Sequence, residues 1–284
     1  SDTLSGTSGN DTFTVTQATL EAADIIVDNS STDADTINIT ATDDLVAGDA
    51  ATIVGIENVN YTVQAFATAA GTATVFDIDN SGVAASSINI DVDQVGTSIV
   101  STIITGVATG STVTASADFT TSVTVTGDDN AAITVNAASN AVVANSGGTL
   151  TGATMTSTAA TGRARFDTDS DAAATMTAAS TADMDIDAIA ATTVTATSGG
   201  SLNADKSAVA TSENLTAATT VNLTAADEII AEMTAATAAT LSAGFGDAAA
   251  VTASAITGGA LTDLNLSGNG SAPTFNTVAA NLVD

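Results

Sequence analysis

The feature that most constrains this chain is a short alternating run that recurs along most of the sequence. In each run an apolar residue alternates with Thr, Asn, Ser or Asp, as in Thr36-Ile37-Asn38-Ile39-Thr40. Period-two alternation is the pattern of a strand with one buried face, and β-branched residues favour strands. Further runs of this kind cover residues 87–91, 122–126, 132–136, 193–195, 220–224 and 263–267. The sequence therefore predicts an all-β fold made of many short strands.

The spacing of these runs favours a parallel β-solenoid. Strand centres follow one another at intervals of roughly eight to eleven residues, separated by Gly, Asn, Asp and Ser turns. A β-sandwich with a bulky core is the alternative, but aromatic residues make up only 3% of the chain and it contains one Pro. Stacked turns of small and medium aliphatic residues suit that composition better. We expect a parallel β-solenoid (β-helix) rod with roughly 20–25 residues per turn, and β-sandwich domains as the alternative.

The domain organisation is less sharply marked. Residues 1–105 have longer spacers and are expected to form an N-terminal β-rich segment, and residues 106–284 the solenoid body; one continuous domain is the alternative. The Ala-rich stretch 227–239 is compatible with short helices, because Ala is the best helix former.

Charge and residue usage exclude several classes of function. The chain has 3 Lys and Arg against 32 Asp and Glu, a net charge of -29, and neither His nor Cys. Phosphate contacts with nucleic acid and with anionic lipid both need Lys and Arg, and thiol or imidazole catalysis needs Cys or His. Apolar stretches are all much shorter than a membrane-spanning helix requires. We therefore expect no enzyme, no nucleic-acid partner and no direct membrane insertion.

The most specific local motif is Gly6-Thr7-Ser8-Gly9-Asn10-Asp11-Thr12-Phe13. It resembles the calcium-binding nonapeptide of RTX proteins, in which glycines form a tight turn before a ligating Asp and a buried apolar residue. The resemblance implies that Gly6, Gly9 and Asp11 form part of a calcium site. Thr7 stands where the motif has a second Gly, and a stacked second copy is missing. A simple Gly/Asn turn before a strand remains the alternative.

Carboxylates also recur at strand spacing, where residues i, i+2 and i+4 share one face. Neighbouring carboxylates repel unless they are hydrated, protonated or bridged by a cation, and calcium takes only oxygen ligands. The alternative is an exposed acidic strand face with diffuse counterions. An EF-hand at 167–178 fails because Ala172 and Ala178 replace its Gly and Glu. Besides the motif residues, the candidate ligands are Asp77, Asp79, Asp91, Asp93, Asp128, Asp129, Asp167, Asp169, Asp171, Asp183, Asp185 and Asp187.

Two of the three cationic residues, Arg163 and Arg165, share a strand face with Asp167. This arrangement predicts an ion pair within the chain.

Residues 4–13, 35–40 and 54–60 together resemble the repeating sequence of bacterial surface-layer and RTX-type secreted proteins. The resemblance implies a calcium-dependent β-solenoid on the cell surface, outside the cell. We expect a structural, self-assembling lattice or fibre subunit whose acidic faces are bridged by Ca²⁺. Its partners would be further copies of itself, with cell-surface polysaccharide as a second candidate. A calcium-dependent adhesin or carbohydrate-binding module is the alternative, although the chain lacks Trp and has one Tyr.

Overall fold

The computed structural model describes most of the strand-forming segments of the chain. The described residues are 1–30, 32–41, 51–64, 74–79, 87–93, 100–116, 122–127, 132–138, 141–146, 150–158, 163–167, 175–187, 191–204, 215, 217–226, 229–232, 238–243, 251–255, 263–268 and 274–275. They fall into two compact units, residues 1–139 with 146–148, and residues 140–145 with 149–284.

The strands of the first unit alternate between sheets along the chain. They are β1 (Thr3–Ser5), β2 (Thr12–Thr16), β3 (Ile25–Val27), β4 (Thr36–Ala41), β5 (Thr52–Val54), β6 (Asn58–Gln64), β7 (Thr74–Asp79), β8 (Ser87–Asp93), β9 (Val100–Val107), β10 (Thr112–Ala115), β11 (Ser122–Gly127) and β12 (Ala132–Ala137). One sheet has the order β1-β3-β5, a second runs β2-β4-β6-β8-β10-β12, and a third contains β7-β9-β11. A 3-10 turn, Gln17–Thr19, follows β2.

The strands of the second unit also alternate along the chain, here between two sheets. Its strands are β13 (Ala141–Ser146), β14 (Gly152–Ser157), β15 (Arg163–Asp167), β16 (Thr175–Ser180), β17 (Asp183–Asp187), β18 (Thr193–Ser198), β19 (Leu202–Ala204), β20 (Thr220–Ala225), β21 (Ile229–Glu232), β22 (Ala238–Ala243), β23 (Val251–Ala255), β24 (Asp263–Gly268) and β25 (Thr274–Phe275). Even-numbered strands β14 to β24 form one sheet and odd-numbered strands β13 to β25 another.

The predicted parallel β-solenoid is confirmed. Successive strands of each sheet pair in parallel, and each is one turn of chain beyond its neighbour. The length of a turn varies, since register pairs Thr175 with the nearby Thr193 but Asn58 with the more distant Ser87. A β-sandwich would instead use antiparallel hairpins. The Ala-rich stretch 227–239 is not helical in its described part, because those residues belong to β21 and β22.

Alternating burial along the strands produces the core. From Thr36 onward, the residues of β4 are in turn partly exposed and buried, and β12 shows the same alternation. Register then stacks inward-facing residues into columns, and one column of the first unit is Phe13, Ile37, Val59, Ile88, Val113 and Val135. Among the described residues of the second unit, Phe166 is the largest fully buried side chain. Close packing of medium aliphatics replaces the aromatic core that the chain lacks.

The predicted boundary near residue 105 falls within β9, whereas the two units divide near residue 140. A membrane-crossing helix does not occur among the described residues.

Candidate metal centre

The turns that lead from the first sheet of unit one into its second sheet carry an acidic residue at one fixed position. Register pairs Thr12 with Thr36 and Thr36 with Asn58. The residues immediately before these strand starts are Asp11, Asp35 and Glu57. The solenoid therefore stacks three carboxylate-bearing residues that belong to three successive turns.

Three carboxylates meet at these turns. One oxygen from each of Asp11, Asp28 and Asp35 lies within 4.8 Å of the other two. Asp35 is 0% exposed and Asp28 is 3% exposed, while Asp11 is partly exposed. Asp11 comes from the first turn and the other two from the second. The group therefore joins two turns of the solenoid.

Hydrogen-bond donors satisfy only part of this group. The amide and hydroxyl of Thr7 donate to Oδ2 of Asp11, the latter at 2.9 Å. The Ser30 amide donates to Oδ1 of Asp28, and the Asp11 amide donates to Oδ1 of Asp35 at 2.7 Å. Oδ2 of Asp28 and Oδ2 of Asp35 are buried and have no hydrogen-bond partner in the described part of the chain. Both atoms are available to an additional ligand.

Like charges at this spacing repel one another, which favours a positive partner for the group. Two carboxylates about 5 Å apart repel by about 3 kcal/mol at an effective dielectric constant of about 20, and here three such pairs exist. That total is comparable to the whole net stability of a domain, about 5–15 kcal/mol. Residues 1–139 contain no Lys, Arg or His. No side chain of the first unit can therefore neutralise the group, and a cation from solution is the chemical complement.

Glycines on both sides make room for Asp28. A Cβ on Gly6 would collide with Oδ2 of Asp28 and would lie 3.0 Å from Oδ2 of Asp11. A Cβ on Gly55 would collide with the backbone carbonyl of Asp28, and Gly55 has φ of 73°. Gly9, by contrast, is exposed and has open space where its Cβ would be. Gly6 thus serves the site by leaving space for a carboxylate.

The structure brings together only part of the predicted ligand set. Asp11 and Gly6 belong to the centre, whereas the geometry gives Gly9 no role in it. The sequence motif does not extend to Asp28 and Asp35, because their turn contains no Gly and does not look like a second nonapeptide. The available signal is the repeated Asp-Thr before an alternating run, at residues 11–12 and 35–36. Asp33, in the same turn, also has a buried Oδ2 without a hydrogen-bond partner among the described residues.

The acidic strand faces predicted in the second unit have a different environment. Register pairs Asp183 with Arg163 and Asp185 with Arg165. Opposite charges at directly neighbouring positions of adjacent strands attract, so these two aspartates have cationic residues as their cross-strand neighbours. The aspartate that is closest to the arginines in the sequence, Asp167, instead aligns with Asp187.

The other predicted ligands do not join a cluster that the structure describes. Asp91 is exposed on β8 beside Thr62. Within the described ranges, Asp11, Asp28 and Asp35 are the only acidic residues of which three bring a carboxylate oxygen within 4.8 Å of one another. Backbone positions within strands are defined for Asp77, Asp79, Asp93, Asp167 and Asp187, and the residues outside the described ranges are Asp128, Asp129, Asp169 and Asp171.

A separate buried carboxylate lies near the first residue. Asp24 accepts the Glu21 amide at 2.9 Å and the Asp2 amide at 2.7 Å, and its Oδ1 lies 3.9 Å from the terminal amine of Ser1. The backbone hydrogen bonds, first from Glu21 and then from Asp2, lower the pKa of Asp24 below its ordinary value, and they outweigh the opposing effect of burial. Asp24 is a satisfied turn residue, in contrast to Asp28 and Asp35.

Comparison of the chain with protein-family models, with curated proteins and with solved structures finds no match. The assignment of the centre therefore depends on its own geometry. That geometry is a three-carboxylate group, shared by two turns, with two buried unpartnered oxygens and no cationic side chain in the same unit.

Proposed function

We propose that this chain is a structural, self-assembling cell-surface protein, of surface-layer or RTX type, whose N-terminal turns are held together by Ca²⁺. The observation that carries the proposal is the pair of buried, unpartnered oxygens, Oδ2 of Asp28 and Oδ2 of Asp35. A bound cation would relieve the repulsion among the carboxylates and connect the first turn to the second.

The donor set favours calcium among common cations. All three candidate side chains offer oxygen, and the chain has no Cys or His with which to bind zinc or copper. Ca²⁺ accepts six to eight oxygens in flexible geometry, whereas Mg²⁺ demands a near-ideal octahedron and retains its water. Three carboxylates placed by two different turns, with water completing the shell, fit the more tolerant ion.

The fold and the charge support a structural role outside the cell. A β-solenoid made of repeated turns presents the same polar strand positions again and again, which suits a lattice or fibre subunit. Copies carrying a net charge of -29 repel one another, so assembly needs neutralisation by multivalent ions. Extracellular modules bind Ca²⁺ with dissociation constants of about 10⁻⁴–10⁻³ M, and we expect this range here.

Calorimetric titration with CaCl₂ tests the metal site. In about 0.15 M salt, which screens diffuse counterion binding, the wild type should show a saturable site that Asp28→Asn abolishes. Asp91→Asn is the matched control, since it removes the same charge from an exposed position on β8. Equal calcium binding by all three proteins would exclude the buried centre as the site.

Light scattering and electron microscopy test assembly. We expect ordered particles with CaCl₂, none with a chelator, and none with NaCl at the same ionic strength. Polymer that forms equally well in chelator at low ionic strength would contradict a calcium-dependent structural role. If Asp28→Asn still assembles in calcium, then assembly uses acidic surfaces other than the buried centre.

A further inference from the structure

We propose that Glu57 is a positioning residue for the cation centre, which fixes the backbone of Asp35 and thereby sets the calcium affinity of Asp11, Asp28 and Asp35. The inference rests on the proposed calcium site and adds the third turn of the solenoid to it. Calcium affinity at the first two turns then depends on a residue that does not bind the ion.

Carboxylate-to-amide hydrogen bonds link the three equivalent turn positions. Oε2 of Glu57 accepts the Asp35 amide at 2.9 Å, and Oδ1 of Asp35 accepts the Asp11 amide at 2.7 Å. Each acidic residue thus holds the backbone of its counterpart in the preceding turn. Charged acceptors make these bonds stronger than neutral ones.

The backbone of Asp35 is held at two points by the third turn. Its amide donates to Glu57, and its carbonyl accepts the Asn58 amide at 3.0 Å and Nδ2 of Asn58 at 3.1 Å. The third turn holds the main chain of Asp35 through these hydrogen bonds, and the Asp35 side chain extends the other way, toward the first turn. There Oδ1 meets the Asp11 amide, and Oδ2 has no hydrogen-bond partner among the described residues.

Glu57 acts through Asp35 and not as a ligand. The carboxylates that lie mutually within 4.8 Å are those of Asp11, Asp28 and Asp35, and Glu57 is outside that group. Residues that orient metal ligands commonly change metal affinity by about 10- to 100-fold when they are removed. We expect an effect at the lower end, since Asn58 also holds Asp35.

Two variants at one position separate positioning from ligation. Glu57→Gln keeps a side-chain oxygen that can accept the Asp35 amide, so its calcium dissociation constant should stay within about threefold of the wild-type value. Glu57→Ala removes the acceptor and should weaken binding about tenfold. The measurement is calorimetric titration of the full chain with CaCl₂. Equal weakening in both variants would show that the charge of Glu57, and not its hydrogen bond to Asp35, sets the affinity, and no change in either would show that Glu57 has no role; each result overturns the proposal.

A second route keeps the test decisive if Glu57→Ala does not fold. Glu57→Asp keeps the charge but shortens the side chain by one methylene, which withdraws the acceptor from the Asp35 amide; it should weaken calcium binding several-fold, and an unchanged affinity would overturn the proposal. The wild type and Asp28→Asn report separately on the site itself. If the wild type shows no saturable calcium binding, or if Asp28→Asn binds calcium as the wild type does, then the calcium assignment and this inference fail together. If that site exists and Glu57→Ala binds like the wild type, this inference alone fails.

Discussion

The carboxylate of Asp28 occupies the space that a side chain on Gly6 would need. The two residues hold equivalent positions in successive turns, because register pairs Ser5 with Val27 immediately before them. Absence of a side chain in one turn therefore permits a buried acidic side chain in the next. The glycine of the motif and the group of three carboxylates are parts of one arrangement.

Gly6→Ala should consequently abolish calcium binding, because the new Cβ would displace Oδ2 of Asp28. Gly9→Ala is the matched control from the same turn, since its Cβ would meet open space. Titration with CaCl₂ measures both. Loss of binding in Gly9→Ala, or wild-type binding in Gly6→Ala, would contradict the proposed role of Gly6.

Gly55→Ala should destabilise the first unit more than Gly110→Ala. Both glycines have positive φ, 73° and 84°, so each Ala variant costs about 1–2 kcal/mol in backbone strain. Only at Gly55 would the new Cβ also collide with the Asp28 carbonyl, and overpacking adds about 1–3 kcal/mol.

Urea unfolding followed by the fluorescence of Tyr61 measures the difference in stability between the two variants. That residue is the single Tyr of the chain and is buried in β6. Equal losses in the two variants would refute the steric part of the argument.

Asn60→Ala should destabilise the same unit, because it removes two side-chain hydrogen bonds between turns. Asn60 Nδ2 donates to Oδ1 of Asn38 at 2.9 Å, and Asn60 Oδ1 accepts Nδ2 of Asn89 at 2.8 Å. At about 1 kcal/mol for each hydrogen bond, the expected loss is about 2 kcal/mol. Thr62→Ala, at the next outward position of β6, is the comparison variant. Urea unfolding followed by Tyr61 fluorescence measures the free energy of unfolding of each variant. A smaller loss of stability in Asn60→Ala than in Thr62→Ala would show that the hydrogen bonds of Asn60 to its neighbours in the adjacent turns contribute little.

The positions of the strands and their inward-facing residues could be predicted from the sequence, because the alternation of apolar and polar residues is a local property. Ile37 and Ile39 alternate with Asn38 in the chain, and the same alternation places both isoleucines in the core. The candidate metal centre was only partly readable from the sequence. Asp11 lies in a recognisable turn motif, but its proximity to Asp28 and Asp35 depends on which turn stacks on which.

Register also explains why the cross-strand neighbours of the two arginines in the second unit were hard to read from the sequence. Arg163 and Arg165 are close to Asp167 in the chain, yet their neighbours across the sheet are Asp183 and Asp185. The offset between partners varies from turn to turn, so sequence distance does not reveal which acidic residue is aligned with which arginine. Contacts between turns are the information that a local pattern lacks.

Asp24 should make the first turn sensitive to acid. Its pKa is lowered in the folded chain, mainly by hydrogen bonds from the Glu21 and Asp2 amides. A group with a depressed folded pKa contributes stability above its unfolded pKa, and that contribution is lost as the pH falls through the folded value. The stabilising effect of Asp24 should therefore be complete at neutral pH and disappear in strong acid.

Asp24→Asn tests this dependence, since an amide replaces one acceptor oxygen with a donor. The variant should have a lower melting temperature than the wild type at neutral pH. Below the ordinary carboxyl pKa of 3.8, the difference should shrink as the wild-type carboxylate becomes protonated. Melting curves monitored by Tyr61 fluorescence from neutral pH down to acid provide the measurement, with the exposed Asp91→Asn as control. A gap that widens toward acid would reverse the sign of this linkage and show that the fold does not stabilise Asp24 as the carboxylate.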